Sequence, residues 1–139
     1  EDKRRLIDIT RRALYRGIKQ CREGNRVSDI SHAIQTFVES HGFSVVRDLV
    51  GHGIGRILHE EPQIPNYGHP RQGAKLRPGM VFAIEPMVNM GKEDVRVEQD
   101  GWTVTTKDWK PSAHFEHTVL VTEGRPEILT LGIEDLDEE

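Results

Sequence analysis

One cysteine, Cys21, stands alone among 139 residues. No disulfide can form within the chain, and a reducing compartment suits it best. Long apolar runs are missing too: nothing approaches the roughly 20 consecutive apolar residues of a membrane-crossing helix, so no membrane partner is expected. The chain opens on Glu1-Asp2-Lys3-Arg4-Arg5, with neither an initiator methionine nor the apolar stretch of a signal peptide. It therefore reads as a cytoplasmic piece cut from a longer polypeptide. Aromatic residues make up only 6%. Neither sign of charge dominates, with 19 Lys and Arg against 23 Asp and Glu and a net charge of -4. Such mixing offers no continuous basic surface, and nucleic acid is not an expected partner. The one local bias is a basic start (Lys3, Arg4, Arg5, Arg11, Arg12, Arg16) and an acidic end (Glu134, Asp135, Asp137, Glu138, Glu139). These read as a helix face and a frayed tail.

What is present is a polar but foldable composition, 35% hydrophobic and 30% charged, of a length that makes one domain the default. Leu6, Ile9, Ala13, Leu14 and Ile18 recur at helical spacing and predict a helix over residues 2–22. Ile30, Ala33, Ile34, Phe37 and Val38 predict a second over 28–41, with Ser28 as N-cap and Gly42 as the stop. Beyond Gly42 the period shortens. Strands are predicted at 43–46, 80–90, 95–97, 102–106, 115–122 and 127–130. Asp100-Gly101 reads as a hairpin turn, and the Gly-, Pro- and His-rich stretch 51–79 as an ordered loop region. Two helices followed by an antiparallel meander predict an α+β domain with the helices on one face of the sheet.

Three segments carry candidate chemistry. In Gly51-His52-Gly53-Ile54-Gly55, glycines around one histidine let the backbone pack closely and expose an imidazole, a common transition-metal ligand. His59 follows seven positions later, which is not the spacing of a helical zinc motif. A structural histidine in a Gly-rich loop is the competing reading. In Val81-Phe82-Ala83-Ile84-Glu85-Pro86-Met87, a carboxylate sits inside an apolar strand. That is costly unless Glu85 is exposed, paired or bound to a metal. In His114-Phe115-Glu116-His117-Thr118, strand alternation places His114, Glu116 and Thr118 on one face. Glu116 is either an outward-facing acid or part of a functional face.

In order and spacing, residues 51–62, 82–89, 100–103 and 112–122 resemble the hallmark segments of the type I methionine aminopeptidases. The resemblance runs from the first helix to about Leu131. Related prolidases and proline-specific aminopeptidases usually continue their strand Glu-Pro-Gly, whereas this one reads Glu85-Pro86-Met87. Type II methionine aminopeptidases carry a helical insertion for which there is no room between Glu85 and Glu116. Leu49 departs from the family, which often has an aromatic residue or methionine there.

The resemblance implies the C-terminal half of the pita-bread fold, spanning residues 1–139, with the N-terminal half absent. It implies a dinuclear aminopeptidase that removes the N-terminal methionine from nascent proteins. His52, Glu85 and Glu116 match three of five metal ligands, His52 and Glu85 serving one metal and Glu116 bridging two. The metals would be cobalt, manganese, iron or zinc, and would activate a water and polarise the scissile carbonyl. His59 matches the histidine that contacts the scissile peptide. Trp102 matches an aromatic beside the methionine pocket, although an ordinary hairpin tryptophan is the competing reading. Ser112 lies where the family binds a monovalent cation. The family's two aspartate ligands and a second catalytic histidine sit on strands before the first helix. This chain alone is therefore expected to be inactive, to hold at most one metal weakly, and to pair as a homodimer through its exposed half-fold face. The alternative is a non-catalytic pita-bread module that binds proteins.

Overall fold

The structure, a computed structural model, describes residues 1–132; the acidic end of the sequence lies outside the described residues. Helix α1 spans Asp2–Lys19 and helix α2 spans Val27–Ser40. On α1 the buried residues are Leu6, Ile9, Thr10, Ala13, Leu14, Gly17 and Ile18, one stripe at three- and four-residue steps. On α2 they are Val27, Ile30, Ser31, Ile34 and Val38. Gly17 lets the stripes meet: a Cβ there would lie 2.8 Å from two carbons of Ile34.

The start of α2 differs from the sequence reading. Arg26, not Ser28, is the N-cap, and its backbone N–H donates to the Asp29 carboxylate at 2.7 Å. The amides of Val27 and Ser28 already donate to the carbonyls of Ala74 and Gln72. Ser28 is thus free to accept from the Gln72 amide at 2.6 Å through its hydroxyl. At the far end His41 caps the helix and Gly42 takes a left-handed φ of +82°, as the glycine stop predicted.

Among the described residues ten short strands follow: β1 (Ser44–Val45), β2 (Gly51–Ile54), β3 (Glu60–Ile64), β4 (Val81–Ile84), β5 (Met87–Asn89), β6 (Val95–Val97), β7 (Val104–Thr106), β8 (Ser112–His114), β9 (His117–Leu120) and β10 (Glu127–Ile128). They form a five-stranded sheet ordered β10-β9-β4-β2-β3, a three-stranded sheet ordered β1-β5-β8, and the ladder β6-β7. Every named pairing is antiparallel. Helix α1 packs on β8, β5 and β4, and α2 on β1 and β3. Phe82, Ile84, Val88, Val119 and Val121 meet the helix stripes in one core. This is the predicted α+β arrangement of two helices on an antiparallel sheet.

Two expectations are corrected. The stretch 51–79 is not all loop, since β2 and β3 form a hairpin within it. Its polar, Gly-rich composition hid the strands, because β3 is exposed along most of its length and only Ile64 is buried. The run 80–90 is also not a single strand, and the strand in 115–122 is shorter than predicted. The first divides into β4 and β5 around Glu85-Pro86. In the second only β9 falls within the predicted range, and β8 precedes it, beyond Phe115-Glu116.

The register explains the division. Ile84 faces His117 at the end of one ladder, and Met87 faces His114 at the start of the next. Both ladders keep one register, so its continuation sets Glu85 opposite Glu116 and Pro86 opposite Phe115. Proline has no N–H to donate, and like charges directly opposite repel. One weak link persists across the gap, from the Phe115 N–H to the Pro86 carbonyl at 3.3 Å.

Candidate metal centre

The same register brings the candidate ligands together. His52 on β2 stands opposite Ala83 on β4, and Ala83 stands opposite Thr118 on β9. These three therefore share a face, and alternation adds Glu85 and Glu116 to it. Ala83 carries only a methyl group beneath the cluster. The opposite face, with Phe82, Ile84 and Val119, is buried in the core.

One ligand atom from each of His52, Glu85 and Glu116 lies within 4.8 Å of the other two. His52 Nε2 is 3.3 Å from Glu85 Oε1, and His114 Nε2 is 3.2 Å from Glu85 Oε2. His52 Nδ1 lies 3.0 Å from the Gly53 carbonyl. A carbonyl can only accept, so Nδ1 is the nitrogen placed to donate to the backbone, and Nε2 is the nitrogen that faces the carboxylates. A backbone partner on the other ring nitrogen is the usual way a metal-binding histidine is oriented. The glycines hold β2 close to its neighbours: a Cβ at Gly51 would strike the Ala83 carbonyl oxygen, and one at Gly53 the Glu61 carbonyl oxygen.

The electrostatics point the same way. No lysine or arginine pairs with Glu85 or Glu116 among the described residues. The Glu85 hydrogen bond holds the His114 imidazole above its ordinary pKa against partial burial, with the charges of Glu85 and Glu116 adding to it. An imidazole nitrogen and two converging carboxylates form a donor set with excess negative charge. That set fits a divalent transition metal, and no one metal is selected by it.

The other candidates fall as follows. The ring of His59 lies over that of His52, with centroids 4.1 Å apart and planes tilted by 44°, so His59 borders the cluster without belonging to it. Trp102 is 81% exposed in the turn between β6 and β7, on a ladder separate from the sheet that carries His52. Ser112 begins β8 and donates to the Val88 carbonyl at 3.1 Å; it takes no part in the three-residue cluster. His114 is a contact that the sequence reading did not assign. Its signal was present, because alternation had already placed it on the Glu116 face. A cavity of about 650 Å³ between α1 and β10, lined by Arg12, Tyr15, Arg16, Arg125, Glu127 and Ile128 among others, holds none of these residues. The cluster sits on an open face instead.

Over residues 1–123 the sequence matches metallopeptidase family M24. The chain belongs to that family. It is 55% identical over 130 residues to methionine aminopeptidase 1 of Bacillus subtilis, covering 94% of this chain and 52% of the relative. The methionine aminopeptidase of Thermotoga maritima superposes with a TM-score of 0.93 at 55% identity, over 95% of this chain and 53% of that one. A prolidase from Pyrococcus furiosus, at 24% identity and a TM-score of 0.70, covers 95% of this chain and 33% of that one and shares the fold alone. The resemblance to methionine aminopeptidases is thus borne out, as is the pita-bread type of architecture. The chain spans about half the length of the curated relatives it matches. None of the helices among the described residues is long and apolar enough to cross a membrane.

Proposed function

We propose that this M24 chain supplies one half of a cytoplasmic methionine aminopeptidase, the half that brings His52, Glu85 and Glu116 to a dinuclear site. The observation that carries the reading is the convergence of those three donors on one sheet face, with no lysine or arginine paired to the two carboxylates among the described residues. The substrates are N-terminal methionyl peptides of new proteins, as the names of the relatives suggest. His52 and Glu85 would serve one divalent ion, and Glu116 would be shared between both. When bound, the ions supply Lewis acidity to a water and to the scissile carbonyl. The protein's own contribution is positioning. The Gly53 carbonyl holds the His52 ring through Nδ1, and His114 orients the Glu85 carboxylate. His59, exposed beside His52, donates to the peptide being cut and stabilises the charge that develops on it. Trp102 lines the methionine side-chain pocket in the complete site, and Ser112 contributes to a monovalent-cation site.

In this proposal the 139 residues are a half-domain. Alone they hold at most one metal, weakly, and do not hydrolyse peptides; the missing donors are two aspartates on another segment or another polypeptide. Exposed Ile57 and Leu58, adjoining His59 in sequence, and exposed Trp102 and Trp109 favour association with such a partner or with a second copy. The test is hydrolysis of a methionyl tripeptide in the presence of manganese or cobalt. Activity is expected only when the aspartate-bearing half of a methionine aminopeptidase is supplied together with this chain. Robust turnover by the purified chain would overturn the half-site reading. Sedimentation as a stable monomer would overturn the homodimer.

A further inference from the structure

We infer that Asn66 is a positioning residue for Glu85. Its side chain lies past the end of β3 and is fully buried. Its Nδ2 donates to the Glu85 backbone carbonyl at 3.2 Å. That carbonyl falls in the gap between β4 and β5, on the β2 side of the strand and just past the last β2–β4 pair, His52 opposite Ala83. A carbonyl released from its ladder needs another donor, and the Asn66 amide reaches it. The other half of the amide is unmatched: Asn66 Oδ1 is buried without a hydrogen-bond partner. A buried acceptor left unpaired is destabilising, so fold stability alone does not account for an asparagine here. The contact with Glu85 does.

Asn66 is itself held firmly. The segment that follows it is clamped to α2. The Gly68 amide donates to the Gln35 side chain at 2.9 Å, the Arg71 amide to Asp29 at 2.9 Å, and the Gln72 amide to Ser28 at 2.6 Å. Arg47 stacks over Tyr67, 4.6 Å from its ring centroid. At the other end, β3 pairs with β2, which carries His52. Asn66 therefore joins the His52 hairpin to the Glu85 backbone and fixes the two donors relative to each other. The consequence for metal binding rests on the metal reading above; the contact itself does not.

Asn89 supplies the control, since it too is fully buried with an unpaired Oδ1, but its Nδ2 donates to the Lys92 carbonyl at 2.9 Å, away from the cluster. The experiment uses the full chain with Asn66→Asp, Asn66→Ala and Asn89→Asp. Calorimetric titration with manganese(II) should show about 10- to 100-fold weaker binding for both Asn66 variants and unchanged binding for Asn89→Asp. In the metal-free chain, the carbonyl ¹³C shift of Glu85 should move in the Asn66 variants only. The parent should show a through-hydrogen-bond coupling between the Asn66 side-chain amide and that carbonyl. Unchanged manganese affinity in folded Asn66 variants would overturn the inference, as would equal weakening by Asn89→Asp or the absence of the coupling. A parent chain that binds no manganese would count against the metal reading. The carbonyl shift and the coupling would still decide the role of Asn66.

Discussion

Replacing Glu116 by glutamine should stabilise the metal-free protein and weaken the metal-bound one. In the free chain, Glu85 and Glu116 are cross-strand neighbours with carboxylate oxygens within 4.8 Å. Coulomb's law gives about 0.9 kcal/mol of repulsion at that separation in a water-like dielectric and about 3.5 kcal/mol at an effective dielectric of about 20. Glu116 is exposed and the His114 imidazole lies 3.2 Å from Glu85 on its other oxygen, so the lower figure governs. It agrees with the roughly 0.2–1 kcal/mol typical of facing like charges in sheets. Glu116→Gln should therefore raise the unfolding midpoint in EDTA by about 2–4 °C, an increment that shrinks in high salt. With metal the order reverses. At a free metal concentration about 100 times its Kd the parent gains about 2.7 kcal/mol, whereas a variant that binds about 100 times more weakly gains less than about 0.5 kcal/mol. Calorimetric or circular-dichroism melts of both proteins, with EDTA and with manganese, should cross. Two results would refute the reasoning: a variant less stable than the parent in EDTA, or one that gains as much from manganese as the parent does.

Three further outcomes follow from the same structure. Burial pushes the Cys21 thiol up to about 12 from its ordinary 9.0; a thiol reagent should label the folded chain at pH 8 only at the rate of opening, and immediate labelling would show the site open. The raised value also has a definite sign in linkage: Cys21 favours the fold below pH 9.0 and loses that contribution as pH rises toward 12. A parent that loses no more stability above pH 9 than Cys21→Ala would contradict it. Gly53→Ala should destabilise by about 1–3 kcal/mol through the collision with the Glu61 carbonyl and lose metal along with the β2–β3 hairpin, as a denaturant melt and a manganese titration would show. His59→Ala should leave manganese affinity intact while reducing kcat of the complete enzyme by about 10²–10³-fold. A large loss of metal binding in that variant would make His59 a ligand instead of a substrate contact.

Much of the fold was legible because the helices announce themselves. Leu6, Ile9, Ala13, Leu14 and Ile18 form an uninterrupted stripe, and Gly42 ends α2 where a left-handed residue is needed. The strands were harder. Apolar content alone makes 80–90 look like one buried strand, yet a proline without a donor and a carboxylate facing another carboxylate divide it. That is a pairing property invisible from one strand. β3 went unread because a half-exposed strand rich in Glu and Pro has the composition of a loop. The three metal-ligand candidates were legible through resemblance, and their convergence is a consequence of register. His114 was visible through alternation but unassigned. Asn66 carries no local signal, since its role depends on a contact with a carbonyl nineteen residues away.

The central claim is that His52, Glu85 and Glu116 hold a metal. Anomalous diffraction from crystals of the chain soaked in manganese tests it most directly. The account predicts a peak bonded to His52 Nε2 and to carboxylate oxygens of Glu85 and Glu116, at about 2.0–2.3 Å. No peak at the cluster, or a peak confined to other acidic side chains such as Glu98 or Asp108, would contradict it.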